Sequence, residues 1–161
     1  MDNSGACPNP QASADLDLDC SFYPDCLEGA VKCGADGYAL GYGGKYCNRF
    51  KDNISYFSAD GQRWIHGTLK CLKNHLVKVA SGSGPKDCKG IMDLAFDSHV
   101  PCYVDNGFCS LAFHWTNPAE EFHFLRALMR VYDVKDFASL MAIKQVGGVL
   151  KSCTFGNDVA S

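Results

Sequence analysis

SADGQRWIHGTLKCLKNHLVKV, residues 58–79, decides the fold class. Ile65, Thr68, Leu69, Leu72, Leu76 and Val79 follow the i, i+3, i+4, i+7 template for about four turns, so they share one face of an amphipathic helix. Ser58 stands where an N-cap belongs. Ser81-Gly82-Ser83-Gly84-Pro85 ends the segment, because glycine and proline do not propagate a helix.

The same period extends in both directions. Upstream, Tyr46, Phe50, Ile54 and Phe57 recur every three or four residues from Lys45 onward. Downstream, Cys88, Ile91, Met92, Ala95, Phe96 and His99 repeat the template, with Pro101 expected to close it. At Asn117 an N-cap asparagine, Pro118 at the first helical position and Glu120 at N3 precede a stripe of Phe122, Leu125, Leu128, Met129 and Tyr132. A further helix is expected after Asp133, carrying Phe137, Leu140, Met141 and Ile143 or Lys144 and stopping at Gly147-Gly148. No stretch shows sustained strand alternation with hairpin turns. The expectation is an all-α, disulfide-stapled helical bundle of about five helices. Residues 1–19, small, polar and acidic, read as an N-terminal tail tethered by Cys7, and residues 20–161 as a single all-α disulfide-rich domain.

A chain of 161 residues suits one domain with one core. Its 47% hydrophobic and 20% charged residues are ordinary for a globular protein. A net charge of −3 supplies no basic field for nucleic acid. The longest apolar runs are too short for a transmembrane segment. The start, MDNSGACPNP, has neither a basic n-region nor an apolar h-region, so any export signal is expected to have been removed and Met1 to be an expression start.

Ten cysteines are the strongest compositional signal: Cys7, Cys20, Cys26, Cys33, Cys47, Cys71, Cys88, Cys102, Cys109 and Cys153. An even number with no CxxC pair argues against zinc or thioredoxin-type sites. It argues for a disulfide framework made in an oxidising compartment, hence a secreted, extracellular protein. Spacing alone leaves about 945 pairings open. Asn53-Ile54-Ser55 is a glycosylation acceptor that suits this location.

No catalytic or ligand-binding motif in the chain is complete. Cys33 to Cys47, CGADGYALGYGGKYC, is glycine-rich enough to cradle a phosphate, yet Lys45 has no following Ser or Thr, no glycine stands five residues before Gly44, and no strand precedes. The stretch reads as a disulfide-braced connector packed down by Tyr38, Tyr42 and Tyr46. Asp15-Leu16-Asp17-Leu18-Asp19 begins like a calcium loop, but Cys20 and Cys26 occupy the positions that need glycine and glutamate. The His-Asp dyad of secreted phospholipases is missing, since Gly67, Leu76, Val100, Trp115 and Phe124 follow the five histidines. His114 and His123 lie near Glu120 and Glu121, but no two histidines share the i, i+4 spacing of a helical metal site. There is no GxSxG elbow. No catalytic residue, metal ligand or cofactor is assigned, and Trp64, Trp115 and the phenylalanines are read as core before pocket.

The residues as a whole resemble the stanniocalcins, secreted helical glycoprotein hormones, over nearly the full chain. The resemblance rests on Cys26-Leu27-Glu28, on Phe57 with Gly61-Gln62 leading to Leu69-Lys70-Cys71, on CYVDNGFCSL from Cys102 to Leu111, on Asn117-Pro118, and on the order of the ten cysteines. It implies the pairs Cys7 with Cys26, Cys20 with Cys47, Cys33 with Cys88, Cys71 with Cys102, and Cys109 with Cys153. It also implies a role in calcium and phosphate regulation or in inhibiting an extracellular metalloprotease. The family's dimer-linking cysteine has no counterpart after Cys153, so a monomer or non-covalent dimer is expected. The family's usual glycosylation acceptor is absent, and the segments Cys33 to Cys47 and Cys109 to Cys153 are longer than their counterparts.

The leading expectation is a secreted, non-enzymatic, stanniocalcin-like regulatory or binding glycoprotein whose partner is an extracellular protein receptor or protease. The alternatives are a secreted enzyme or carrier acting on an apolar small molecule or lipid, and a toxin or defence protein. A deep pocket with converging polar groups would favour the enzyme, whereas a filled core and an exposed apolar patch would favour the binder.

Overall fold

The computed structural model describes residues 7–113, 116–137 and 140–156. His114 and Trp115, and the side chains of Phe137, Leu140, Met141 and Ile143, lie outside them. Among the described residues every regular element is helical: α1 (Pro10–Ala14), α2 (Glu28–Val31), α3 (Gly44–Asn53), α4 (Ala59–Asn74), α5 (Val77–Ala80), α6 (Cys88–Asp105), α7 (Phe108–Ala112), α8 (Pro118–Val131), α9 (Val134–Phe137) and α10 (Leu140–Lys151). The bundle is all-α, with α3, α4, α6, α8 and α10 as its long members. Helix α6 packs against both α4 and α10, while α8 packs against α3 and α7.

Capping explains where α4 and α8 begin. Ser58 Oγ accepts from the Gly61 N–H at 3.1 Å, and Asn117 Oδ1 accepts from the Glu120 N–H at 3.2 Å. The stripe from Ile65 to Val79 is buried as its period predicts, but the helix breaks once within it. Helix α4 stops at Asn74, the Leu76 N–H bonds back to the Lys73 carbonyl at 2.9 Å, and α5 resumes at Val77. The tightened turn leaves Leu76 and Val79 in the core.

Two expected stops and one expected connector are overridden. Pro101 lies inside α6, which continues to Asp105. Proline in a helix interior costs about 3 kcal/mol, and beside it Cys102 is fully buried and paired with Cys71. Helix α10 runs through Gly147-Gly148 to Lys151. A Cβ on Gly148 would stand 2.9 Å from Val100 Cγ2, so this glycine serves the close approach of α10 to α6. The connector between Cys33 and Cys47 is largely helical: a π-helical turn, Ala39–Gly43, runs directly into α3. A Cβ on Gly43 would collide with the Tyr23 ring, so the glycines there let helix backbone lie on an aromatic core.

Part of the stretch expected as a tail is built into the fold. Ala14 is buried, and the carbonyls of Leu16, Asp17 and Asp19 all accept from Lys73 Nζ, with the last two at 2.9 and 3.1 Å. Three acceptors satisfy all three ammonium protons, which is how a lysine on α4 can be fully buried. The acidic loop does gather a cation, and it is the chain's own.

The core centres on Trp64. Its indole N–H donates to the Tyr103 carbonyl at 3.1 Å, and its ring meets those of Tyr103, Phe124 and Phe50 at 5.1, 5.4 and 5.7 Å. The ten cysteines stand in five pairs at disulfide distance: Cys7 with Cys26, Cys20 with Cys47, Cys33 with Cys88, Cys71 with Cys102 and Cys109 with Cys153. Their Cα–Cα separations are 5.0, 5.7, 5.8, 5.6 and 5.3 Å, and no cysteine is free. No helix of the described residues is long and apolar enough to cross a membrane.

Candidate functional site: an apolar cavity walled by tyrosines

The π-helical turn and α3 present Tyr38, Tyr42, Tyr46 and Phe50 at intervals of four residues, so these rings form one continuous wall. Opposite them stand Leu69 and Leu72 of α4, Phe96, His99 and Tyr103 of α6, Leu125, Leu128 and Met129 of α8 with Tyr132 at its C-cap, and Gln145, Val146, Val149 and Leu150 of α10. They line a cavity of about 390 Å³ that opens to solvent beside the exposed Met129 and Leu150. That falls in the range of small-molecule sites and far exceeds an ordinary packing void.

Aromatic contacts hold the wall rigid. Tyr38 stacks on Tyr42 at 6.2 Å, both meet the edge of Phe96 at 5.5 and 5.2 Å, and Tyr46 leans on Tyr132 at 5.6 Å. The polar atoms largely bond to one another. Tyr38 Oη lies 3.0 Å from His99 Nε2, and the Tyr103 and Tyr132 hydroxyls form a hydrogen bond. Burial lowers the His99 pKa to about 4, so the ring is neutral at neutral pH. Burial pushes Tyr103 up to about 12 and holds Tyr38 and Tyr132 well above the usual phenol range, so all three stay protonated.

A charged cluster closes one edge. Lys45 Nζ reaches Asp136 Oδ2 at 2.9 Å and Asp133 Oδ2 at 3.4 Å, and the Tyr46 hydroxyl donates to Asp136. Burial works against the Asp136 carboxylate, but the bonds from Tyr46 and Lys45 outweigh it and hold its pKa below normal. Asp133 is lowered first by the Lys135 backbone N–H and then by Lys45. On the inner wall, Gln145 Oε1 is buried with no hydrogen-bond partner.

This arrangement can receive an apolar body and offer hydrogen bonds to it. Among the described lining residues there is no serine or threonine, Cys47 is paired with Cys20, and His99 Nε2 is bonded to the Tyr38 hydroxyl. The other sequence candidates lie elsewhere. His66 Nδ1 meets Asp17 Oδ2 at 3.2 Å, and His123 is exposed on α8. His75 lies beside Cys71 and Cys102, whose sulfurs pair with each other and so are not thiolate ligands. Asn53 ends α3, with its Nδ2 donating to the Arg49 carbonyl at 2.8 Å. Sequence reasoning treated the tyrosines as packing and His99 as one more apolar-face position. The signal that could have found the wall is the four-residue spacing from Tyr38 to Phe50, hidden by the intervening glycines.

Comparison with known proteins adds one finding. The family model described as Stanniocalcin family matches residues 9–152, which include every element lining the cavity. Neither the curated proteins nor the solved structures contain a match.

Proposed function

The chain belongs to the stanniocalcin family, and on that premise we propose that it is a secreted, hormone-like regulatory protein that acts by binding and not by catalysis. The observation that carries this reading is the cysteine frame: ten cysteines in five pairs with none free, eight of the ten lying within the residues the family model matches. Such a frame forms in an oxidising compartment and holds a surface in one shape. What supports the non-catalytic part is that the polar side chains of the cavity bond to one another, Tyr38 to His99, Tyr103 to Tyr132 and Asp136 to Tyr46 and Lys45, rather than converging on its open space as an enzyme's would. The partner proposed is an extracellular receptor or protease. With every cysteine engaged within the chain, a second copy would join without a disulfide. Asn53 is proposed to carry a glycan, which makes the secreted form a glycoprotein.

Expression through a eukaryotic secretory pathway tests the proposal. The protein is expected in the medium, with a mass shift removed by an endoglycosidase and abolished by Asn53→Gln. It is also expected to bind saturably to cell surfaces or to an extracellular protease, with loss of that binding on reduction. Retention inside the cell with free thiols would contradict it.

A further inference from the structure

The cavity between α3, α6, α8 and α10 is more selective than its apolar lining alone suggests. Three observations narrow the occupant. Its body must be hydrocarbon, since the rings of Tyr38, Phe96 and Tyr103 and the aliphatic side chains of α8 and α10 supply most of the wall. Its charge must be zero: no lysine or arginine is among the described lining residues, and Asp136 is already engaged by Lys45 at 2.9 Å and by Tyr46. A carboxylate or phosphate head would be buried without a counter-charge, and a cationic head would have to compete with Lys45. Finally, Gln145 Oε1 is a buried acceptor that lacks a donor. Such an atom is costly to leave unsatisfied, and a single hydroxyl would satisfy it.

We infer that the cavity binds a lipid alcohol, its hydrocarbon body lying between the tyrosine wall and α8 and its hydroxyl donating to Gln145 Oε1. The cavity, about 390 Å³, equals the liquid volume of roughly a dozen waters, space for a medium-length chain. Leu125, Val146 and Leu150, 39%, 41% and 47% exposed, form an apolar rim contributed by α8 and α10 through which such a molecule enters. The inference rests on the reading of the protein as a binder and names what this site takes.

Calorimetric titration of the full, disulfide-intact chain near neutral pH tests it with three matched probes: dodecan-1-ol, dodecanoate and dodecyltrimethylammonium. The alcohol is expected to bind one to one and at least about ten-fold more tightly than either charged analogue, the penalty of burying an uncompensated charge. Gln145→Leu is expected to weaken dodecan-1-ol roughly two- to ten-fold, the loss of one neutral hydrogen bond, while leaving dodecanoate unchanged. Val146→Trp, at an exposed rim position, is expected to weaken the alcohol without lowering the thermal midpoint. Equal affinity for all three probes, indifference of the alcohol to Gln145→Leu, or self-association that occludes the rim would each overturn the inference and leave the binding function standing. Conversion of the alcohol to a product would overturn the non-catalytic reading itself.

Discussion

Lys73 shows how a single residue can decide whether a segment belongs to the fold. Its ammonium is fully buried and donates to the carbonyls of Leu16, Asp17 and Asp19, so it ties the acidic N-terminal stretch to α4. Burial lowers its pKa, with Asp19, Asp17 and Asp15 opposing that shift. Lys73→Met keeps the length and removes the donors. It is expected to cost about 2–4 kcal/mol in urea unfolding, as carbonyls lose charge-assisted bonds, and to make residues 7–19 the first site of proteolysis. His99 and Asp136 make the protein acid-sensitive in two successive windows. An unfolded histidine takes its proton near 6.5 and the folded one near 4, so stability is complete above 6.5 and falls as pH drops between the two values. The full effect is on the order of 3 kcal/mol. Asp136, held below 3.8 when folded, adds stability that is present above that value and is lost only as pH falls through the lowered one. His99→Gln is expected to flatten the urea midpoint between pH 6.5 and 4 and leave the slope at lower pH in place. An unchanged profile would contradict the burial of a neutral ring.

At the scale of elements, the sequence reads best where one physical cause acts alone. Ser58 and Asn117 are N-caps in fact because capping needs only a side-chain oxygen and the next turn's N–H groups. The apolar stripe on α4 and α5 is buried because its period is strong enough to survive a break at Asn74. Breaker residues mislead because their local cost competes with contacts from distant parts of the chain. Pro101 sits one residue before a buried, paired cysteine, Gly148 faces Val100 of α6, and Gly43 faces Tyr23. The cavity was illegible for the same reason. Glycines concealed the tyrosine stripe, and nothing local to Gln145 reveals that its oxygen lacks a donor. Gly43→Ala separates the two influences. Helix propensity alone favours alanine by about 1 kcal/mol, whereas the collision with Tyr23 is expected to destabilise the protein by about 1–3 kcal/mol and to weaken dodecan-1-ol binding through movement of Tyr23 and Tyr38. A stabilised variant would show that the close approach is not real.

For the whole molecule, the five cysteine pairs and the open cavity belong to one design. A helical domain with space for a ligand between its helices forgoes part of its packing, and covalent links compensate by restricting the unfolded chain, typically by about 2–4 kcal/mol each. The pairs are distributed to do this. Cys20 with Cys47 anchors the tyrosine wall beside the cavity, Cys71 with Cys102 joins α4 to α6, and Cys109 with Cys153 ties α7 to the end of α10. Reduction is therefore expected to release bound dodecan-1-ol along with tertiary structure. Non-reducing peptide mapping of the protein expressed through a secretory pathway tests the account most directly, because the proposed compartment and the cavity both depend on the same links. Five intrachain bonds are expected, Cys7 to Cys26, Cys20 to Cys47, Cys33 to Cys88, Cys71 to Cys102 and Cys109 to Cys153. Free thiols at these positions, or peptides joined in any other pairing, would contradict it.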